Sequence, residues 1–250
     1  MPLPVFKSLS QIPWRHLPRI PAGLRLYAIG DVHGRLSALE DVFARIDADR
    51  AERPVTRSVE IYLGDYVDRG PASREVLEAL LARAYQKELL LLKGNHEVLF
   101  LQFFDDPSLF DVWRQNGGLA TLMSYGLKPS FKPTANELRD LAREFRHVVP
   151  AAHRELLTKA PACFKYGDLF FVHAGVRPGV PLDLQKEEDL LWIREDFLLH
   201  ERAFEKIIVH GHTPVAAPEV LFNRINLDIG AYATGRLACM VFDNDTVGFV

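Results

Sequence analysis

Hydrophobic positions along this 250-residue chain fall into short runs, and five of them end in glycine beside a charged or ligating residue. Leu24 to Ile29 is followed by Gly30-Asp31-Val32-His33-Gly34. Val59 to Leu63 opens into Gly64-Asp65-Tyr66-Val67-Asp68-Arg69-Gly70. Leu89 to Leu92 leads to Lys93-Gly94-Asn95-His96-Glu97, Leu169 to Val172 to His173-Ala174-Gly175, and Ile207 to Val209 to His210-Gly211-His212-Thr213. Short apolar runs bounded by glycine and polar residues predict buried strands that open into loops. In α/β proteins such strand-end loops carry the chemistry.

Between the strands the period changes. Leu36, Leu39, Val42, Phe43 and Ile46 predict a helix over 35–46, and Val76, Leu77, Leu80 and Leu81 predict another behind Pro71. This β-α-β-α-β order favours parallel pairing with right-handed crossovers. Residues 97–160 read as a helical insertion over one side of the site, with helical patterns interrupted by Pro107, Gly117-Gly118, Gly126, Pro129 and Pro133. Asp189 to Leu199 predicts a short helix. Arg224 to Leu227, Leu237 to Phe242 and Thr246 to Phe249 are late strands without long helices between them, which predicts a second, mainly antiparallel sheet. The expected organisation is a proline-rich arm at 1–22, lying on the rest through Phe6 and Trp14, and one domain at 23–250.

Composition narrows the class. A hydrophobic fraction of 48% and a charged fraction of 25% suit an ordinary globular protein with a sizeable core. The net charge of −3 provides no basic field for a nucleic-acid polymer. Cys163 and Cys239 lack disulfide or zinc spacing. No apolar run is long enough for a bilayer and no secretory leader is visible, so the sequence reads as cytoplasmic, without a membrane partner.

The strand-end residues themselves are metal ligands and acids. Asp31 and His33 lie two apart, which in extended backbone points both to one side. Asp65 can bridge two cations, and Asn95, His173 and His212 add an amide oxygen and two imidazoles. Mixed oxygen and nitrogen donors suit manganese, iron or zinc rather than calcium. A pair of cations about 3.5–4 Å apart clamps phosphorus for in-line attack by water. His96 would face a leaving group as general acid, with Asp68 on its other nitrogen, and the forked donors of Arg69 would hold phosphate. His210 and His212 are both ligand candidates. His16, His147, His153 and His200 lie outside every motif, and Trp113 and Trp192 read as core or rim.

These motifs, in this order, resemble the three signatures of the phosphoprotein phosphatase (PPP) family of metallophosphoesterases, Gly30–Gly34, Gly64–Gly70 and Gly94–Glu97. The His173-Ala174-Gly175 and Gly211-His212-Thr213-Pro214 segments are similar to its later histidine motifs. The resemblance runs from Leu24 to the C-terminus and is nearer to the short bacterial and phage members. It implies an α/β fold, a two-sheet calcineurin-like sandwich flanked by helices, and two divalent metals, manganese first. By position, Asp31 and His33 would bind one metal, Asp65 would bridge, and Asn95, His173 and His212 would bind the other. His96 with Asp68 would be catalytic, and Arg69 with Arg194, in Trp192-Ile193-Arg194, would bind phosphate. Arg177 ranks below Arg194 because it sits in a proline loop. Asp228 would support the metal histidines, and Tyr232 would either meet substrate or pack. The implied reaction is hydrolysis of phosphoserine or phosphothreonine in a protein substrate by direct attack of a metal-held hydroxide. The alternative is a symmetric dinucleoside tetraphosphate hydrolase. The symmetric enzymes put alanine where Asp68 stands, so Asp68 ranks this second. A non-catalytic scaffold on the same fold ranks third, because every expected ligand is present.

Overall fold

The computed structural model describes residues 18–244 and 246–250. Phe6 and Trp14 of the arm lie outside the described residues. The chain proceeds through β1 (Leu24–Ile29), α1 (Leu36–Glu52), β2 (Arg57–Tyr62), α2 (Ser73–Ala84) and β3 (Glu88–Leu91). Then come five helices, α3 (Asn95–Gln102), α4 (Phe110–Gln115), α5 (Gly118–Ser124), α6 (Ala135–Val148) and α7 (Ala151–Lys159). β4 (Cys163–Tyr166) and β5 (Leu169–Val172) precede α8 (Glu187–Trp192) and α9 (Glu195–Leu198). The chain ends with β6 (Ile207–His210), β7 (Glu219–Val220), β8 (Arg224–Asn226), α10 (Ala231–Thr234), β9 (Cys239–Asp243) and β10 (Thr246–Phe249).

Two five-stranded sheets result, ordered β10-β9-β1-β2-β3 and β4-β5-β6-β8-β7. The first has β1, β2 and β3 parallel, with β9 antiparallel on β1 and β10 on β9. The second departs from the mainly antiparallel expectation. β5-β6 and β6-β8 are parallel, and only the outer strands β4 and β7 run antiparallel. Two physical features account for this. The crossover from β5 to β6 runs through α8 and α9, too short for a strong helical period. The late hairpin β9-β10 leaves to extend the first sheet. β4 and β7 were not visible in the sequence, since neither is a continuous apolar run.

Alternation along the strands fixes the layers. Leu24, Leu26 and Ala28 of β1 meet Leu169 and Phe171 of β5 and Val209 of β6 in a core between the sheets. Tyr27 and Ile29 of β1 point the other way, into a core shared with α1, α2 and the helices after β3. Phe170 and Val172 of β5 likewise turn outward onto Leu190 and Phe197 of α8 and α9. Both faces of each sheet are therefore covered, and β1 is buried along its whole length. α1 continues past the predicted end at Ile46 through a polar segment tied by Arg50–Asp47 and Arg53–Asp49 pairs.

Candidate metal centre

The loops that leave β1, β2, β3, β5 and β6 converge. Among described non-glycine residues with positive φ, His33 (46°), Asp65 (53°), Asp68 (71°), Arg69 (66°) and His212 (65°) all belong to these loops, and only Asn244 lies elsewhere. Left-handed backbone costs energy for L-residues and persists where surrounding structure enforces it, commonly at functional sites. It also corrects two readings. His33 reaches the cluster through a turn, not through extended backbone shared with Asp31. His212 turns in the same way, while His210 stays on β6 with its ring edge-on to Phe197. The two histidines do not share a face.

Hydrogen bonding assigns the imidazole protons. His33 Nδ1 lies 3.0 Å from Val67 O and His173 Nδ1 2.9 Å from Leu63 O. A carbonyl only accepts, so both Nδ1 atoms carry the proton and both Nε2 atoms present lone pairs. Burial pushes His33 down to about 3 and lowers His173 as well, keeping both neutral. His173 Nε2 then faces Asn95 Oδ1 at 2.9 Å, His212 Nδ1 at 3.1 Å and Asp65 Oδ1 at 3.4 Å. His33 Nε2 faces the other Asp65 oxygen at 3.5 Å. Asp65 thus offers one oxygen to each group.

Asp31 joins through Oδ2, which accepts the His212 N–H at 2.9 Å. A Cβ on Gly211 would fall 2.0 Å from Asp31 Oδ1, so only glycine lets the two loops meet. Asp31 Oδ1, His33 Nε2 and His212 Nε2 are buried without hydrogen-bond partners. Burial, reinforced by Asp228 and Asp65, raises the Asp31 carboxyl well above the carboxylate range. Buried carboxylates and lone pairs aimed at one another are uncompensated without a cation. The triads His33-Asp65-His96 and Asp65-His173-His212 each bring three ligand atoms within 4.8 Å. The donor set therefore fits two divalent cations sharing Asp65.

Beside this cluster, His96 Nδ1 lies 2.8 Å from Asp68 Oδ2. Its Nε2 faces Arg69 Nη2 at 3.3 Å and Asp65 Oδ2 at 3.6 Å. Burial lowers the His96 pKa, but Asp65 and Asp68 outweigh it and the net shift is upward. The Arg69 guanidinium lies over the Tyr232 ring, 4.8 Å from its centroid. Arg194 Nη1 donates to Thr213 Oγ1 at 3.0 Å, on the His212 side. Arg177 is instead committed to Asp189 and Asp196. Asp228 Oδ1 accepts from Gly230 N, and burial raises its carboxyl to about 6; among the described residues, no hydrogen bond joins it to the ligand histidines.

The structure thus brings all ten sequence candidates into one continuous contact network. Three contributors had no assigned role. The fully buried Glu97 accepts backbone N–H bonds from Asp65, Tyr66, Val67 and Gly94, pinning the β2 loop to α3. Its signal was present: a glutamate three residues into a helix after Gly94 marks a helix start. Trp113 Nε1 and Thr121 Oγ1 donate to the Asp68 carboxylate at 2.9 and 2.6 Å. They arrive from α4 and α5, and nothing local announces them.

A buried cluster of carboxylate and imidazole donors at the strand ends of a two-sheet sandwich defines a metal-dependent phosphoesterase. Residues 24–247 match the family model for calcineurin-like phosphoesterases, and the chain belongs to that family. Among curated relatives, the asymmetrical bis(5'-nucleosyl)-tetraphosphatase PrpE of Oceanobacillus iheyensis is 25% identical, covering 88% of this chain and 89% of its own. A solved structure of a putative diadenosine tetraphosphatase superposes with a TM-score of 0.63 at 19% identity, covering 90% and 92% of the two chains. A cold-active protein-tyrosine phosphatase of a Shewanella species superposes at 0.58 with 15% identity, over 92% and 83%. Both superpositions speak to the fold. Among the described residues, no helix is long and apolar enough to cross a membrane.

Proposed function

We propose that this protein hydrolyses the phosphoanhydride bridge of dinucleoside tetraphosphates, cutting it off centre. The observation that carries this reading is the near full-length similarity to PrpE, a tetraphosphatase of the asymmetrical kind. It reverses the order expected from the motifs, which placed phosphoserine and phosphothreonine first and named the symmetric cleavage as alternative. Retention of Asp68 fits an enzyme outside the symmetric group.

Asp31, His33 and Asp65 would hold one divalent cation, and Asp65, Asn95, His173 and His212 the other. Manganese is the first candidate, with iron and zinc compatible with the same donors. Such a pair supplies a deprotonated water near neutral pH and neutralises phosphate oxygens. The chain's own groups do the rest. Arg69, beside His96, and Arg194, beside His212, would hold phosphate oxygens. His96 gives its Nε2 proton to the departing phosphate oxygen as water bonds to phosphorus and the bridge P–O bond breaks. Asp68, fixed by Trp113 and Thr121, holds His96 in that orientation.

The test is turnover by manganese-loaded protein of diadenosine tetraphosphate, a phosphoserine peptide and a phosphotyrosine peptide in parallel. The expected result is dominant cleavage of the dinucleotide to ATP and AMP. Two ADP would show central cleavage, and dominant release of phosphate from either peptide would overturn the reading.

A further inference from the structure

The catalytic cluster is bordered on the His212 side by Trp192, the last residue of α8. The indole stands edge-on to the His212 ring, with centroids 6.3 Å apart, and 40% of the residue is exposed. Trp192 also lines a cleft of about 550 Å³, together with Leu184, Val180, Lys186, Glu188 and Arg177. That volume lies within the range of small-ligand sites. The lining is uneven in a useful way. Trp192, Leu184 (69% exposed) and Val180 give apolar contact, while Glu188 and Lys186 give polar groups at the edge. Arg194 follows Trp192 by two residues and reaches Thr213, beside His212. One short segment therefore joins the cleft to the phosphate end.

We infer that the Trp192 cleft is a subsite for the purine nucleoside joined to the phosphate under attack, with the base stacked on the indole. The proposal rests on the dinucleotide reading for its substrate. It also accounts for cleavage off centre. A base held next to His212 brings its own 5'-phosphate to the cluster, so the outer anhydride is the bond presented.

The experiment compares AMP with ribose 5-phosphate as inhibitors of p-nitrophenyl phosphate turnover by the manganese-loaded protein. Both carry the phosphate and ribose, and only AMP carries the base. The ratio of their inhibition constants is internally normalised, whatever a substitution does to turnover. Base–aromatic stacking predicts that AMP binds wild type at least about five-fold more tightly. Trp192→Ala should bring the ratio close to one, Trp192→Phe should retain most of it, and Leu199→Ser, in the neighbouring cleft beyond Arg177, should leave it at the wild-type value. A wild-type ratio of one, or an unchanged ratio in Trp192→Ala, overturns the subsite. Cleavage of diadenosine tetraphosphate by the same preparation reads the parent proposal separately. Base preference without dinucleotide cleavage sinks that proposal and keeps a nucleotide subsite. Dinucleotide cleavage without base preference sinks the subsite alone.

Discussion

His96 sits where two carboxylates meet, with Nδ1 on Asp68 and Nε2 toward Asp65 and Arg69. Its ligand atom also falls in a triad with His33 and Asp65, so ligand and acid roles make opposite predictions. As acid, His96→Asn keeps metal content and slows turnover about 10²-fold or more for esters with poor leaving groups, and less for p-nitrophenyl phosphate. Equal slowing for good and poor leaving groups, or lost metal, would contradict that role. The candidate ligands were legible as motifs because they sit in glycine-flanked loops at strand ends. The groups that hold Asp68 were not. Trp113 and Thr121 lie 45 and 53 residues away, and a tryptophan in a helical pattern reads as core until its N–H is seen to find a carboxylate. The local geometry of His33 and His212 also escaped, because neither the Asp31-Val32-His33 nor the His210-Gly211-His212 spacing reveals a left-handed turn.

Among the elements, α1, α2 and β2 are tied by a charged network beneath the sheet. Glu60 of β2, fully buried, accepts from Arg50 and Arg83, and Arg83 also pairs with Asp47. Removing one member of a buried pair leaves an uncompensated charge at a cost of about 3–5 kcal/mol. Glu60 keeps Arg50 and the Tyr62 hydroxyl when Arg83 is lost, so Arg83→Met should lower stability by less than that, about 1.5–3 kcal/mol in urea unfolding, and a second change, Glu60→Met, should recover part of it. No recovery would show that Arg83 acts through packing on Phe43, over whose ring it lies. In α7, His153 is buried with Nδ1 2.7 Å from the Tyr125 hydroxyl. Burial lowers its pKa in the fold. The unfolded chain then binds the proton first, so stability falls as pH drops below about 6.5, the unfolded value. Melting of the metal-loaded protein between pH 7.5 and 5 checks this. His153→Gln should melt progressively higher relative to wild type as the pH falls, and a constant gap would refute the assignment. Helices with a clear apolar stripe were legible here, whereas α8 and α9 merged into one because the break at Ile193-Arg194 has no proline or glycine to mark it.

For the whole molecule, the strand-loop syntax was enough to read an α/β protein with a second sheet, since parallel strands buried on both faces write themselves as apolar runs, and the family resemblance added the sandwich. The partition of strands between sheets was not legible. It depends on β9 returning to β1 across nearly the full length of the chain, and alternation cannot say which sheet a late strand joins. That return closes the first sheet next to the strands that bear Asp31 and Asp65, while β5 and β6 of the second deliver His173 and His212. The centre therefore lies where the two sheets' strand ends meet, and Asp65 is the group common to both halves. The most direct measurement is the metal content of the purified chain after loading with manganese or zinc and removal of free ion. Two equivalents per chain in wild type, falling to one or none in Asp65→Asn, is the predicted result. A wild type that retains no metal, or an Asp65→Asn variant that still retains two equivalents, would contradict a shared two-cation centre.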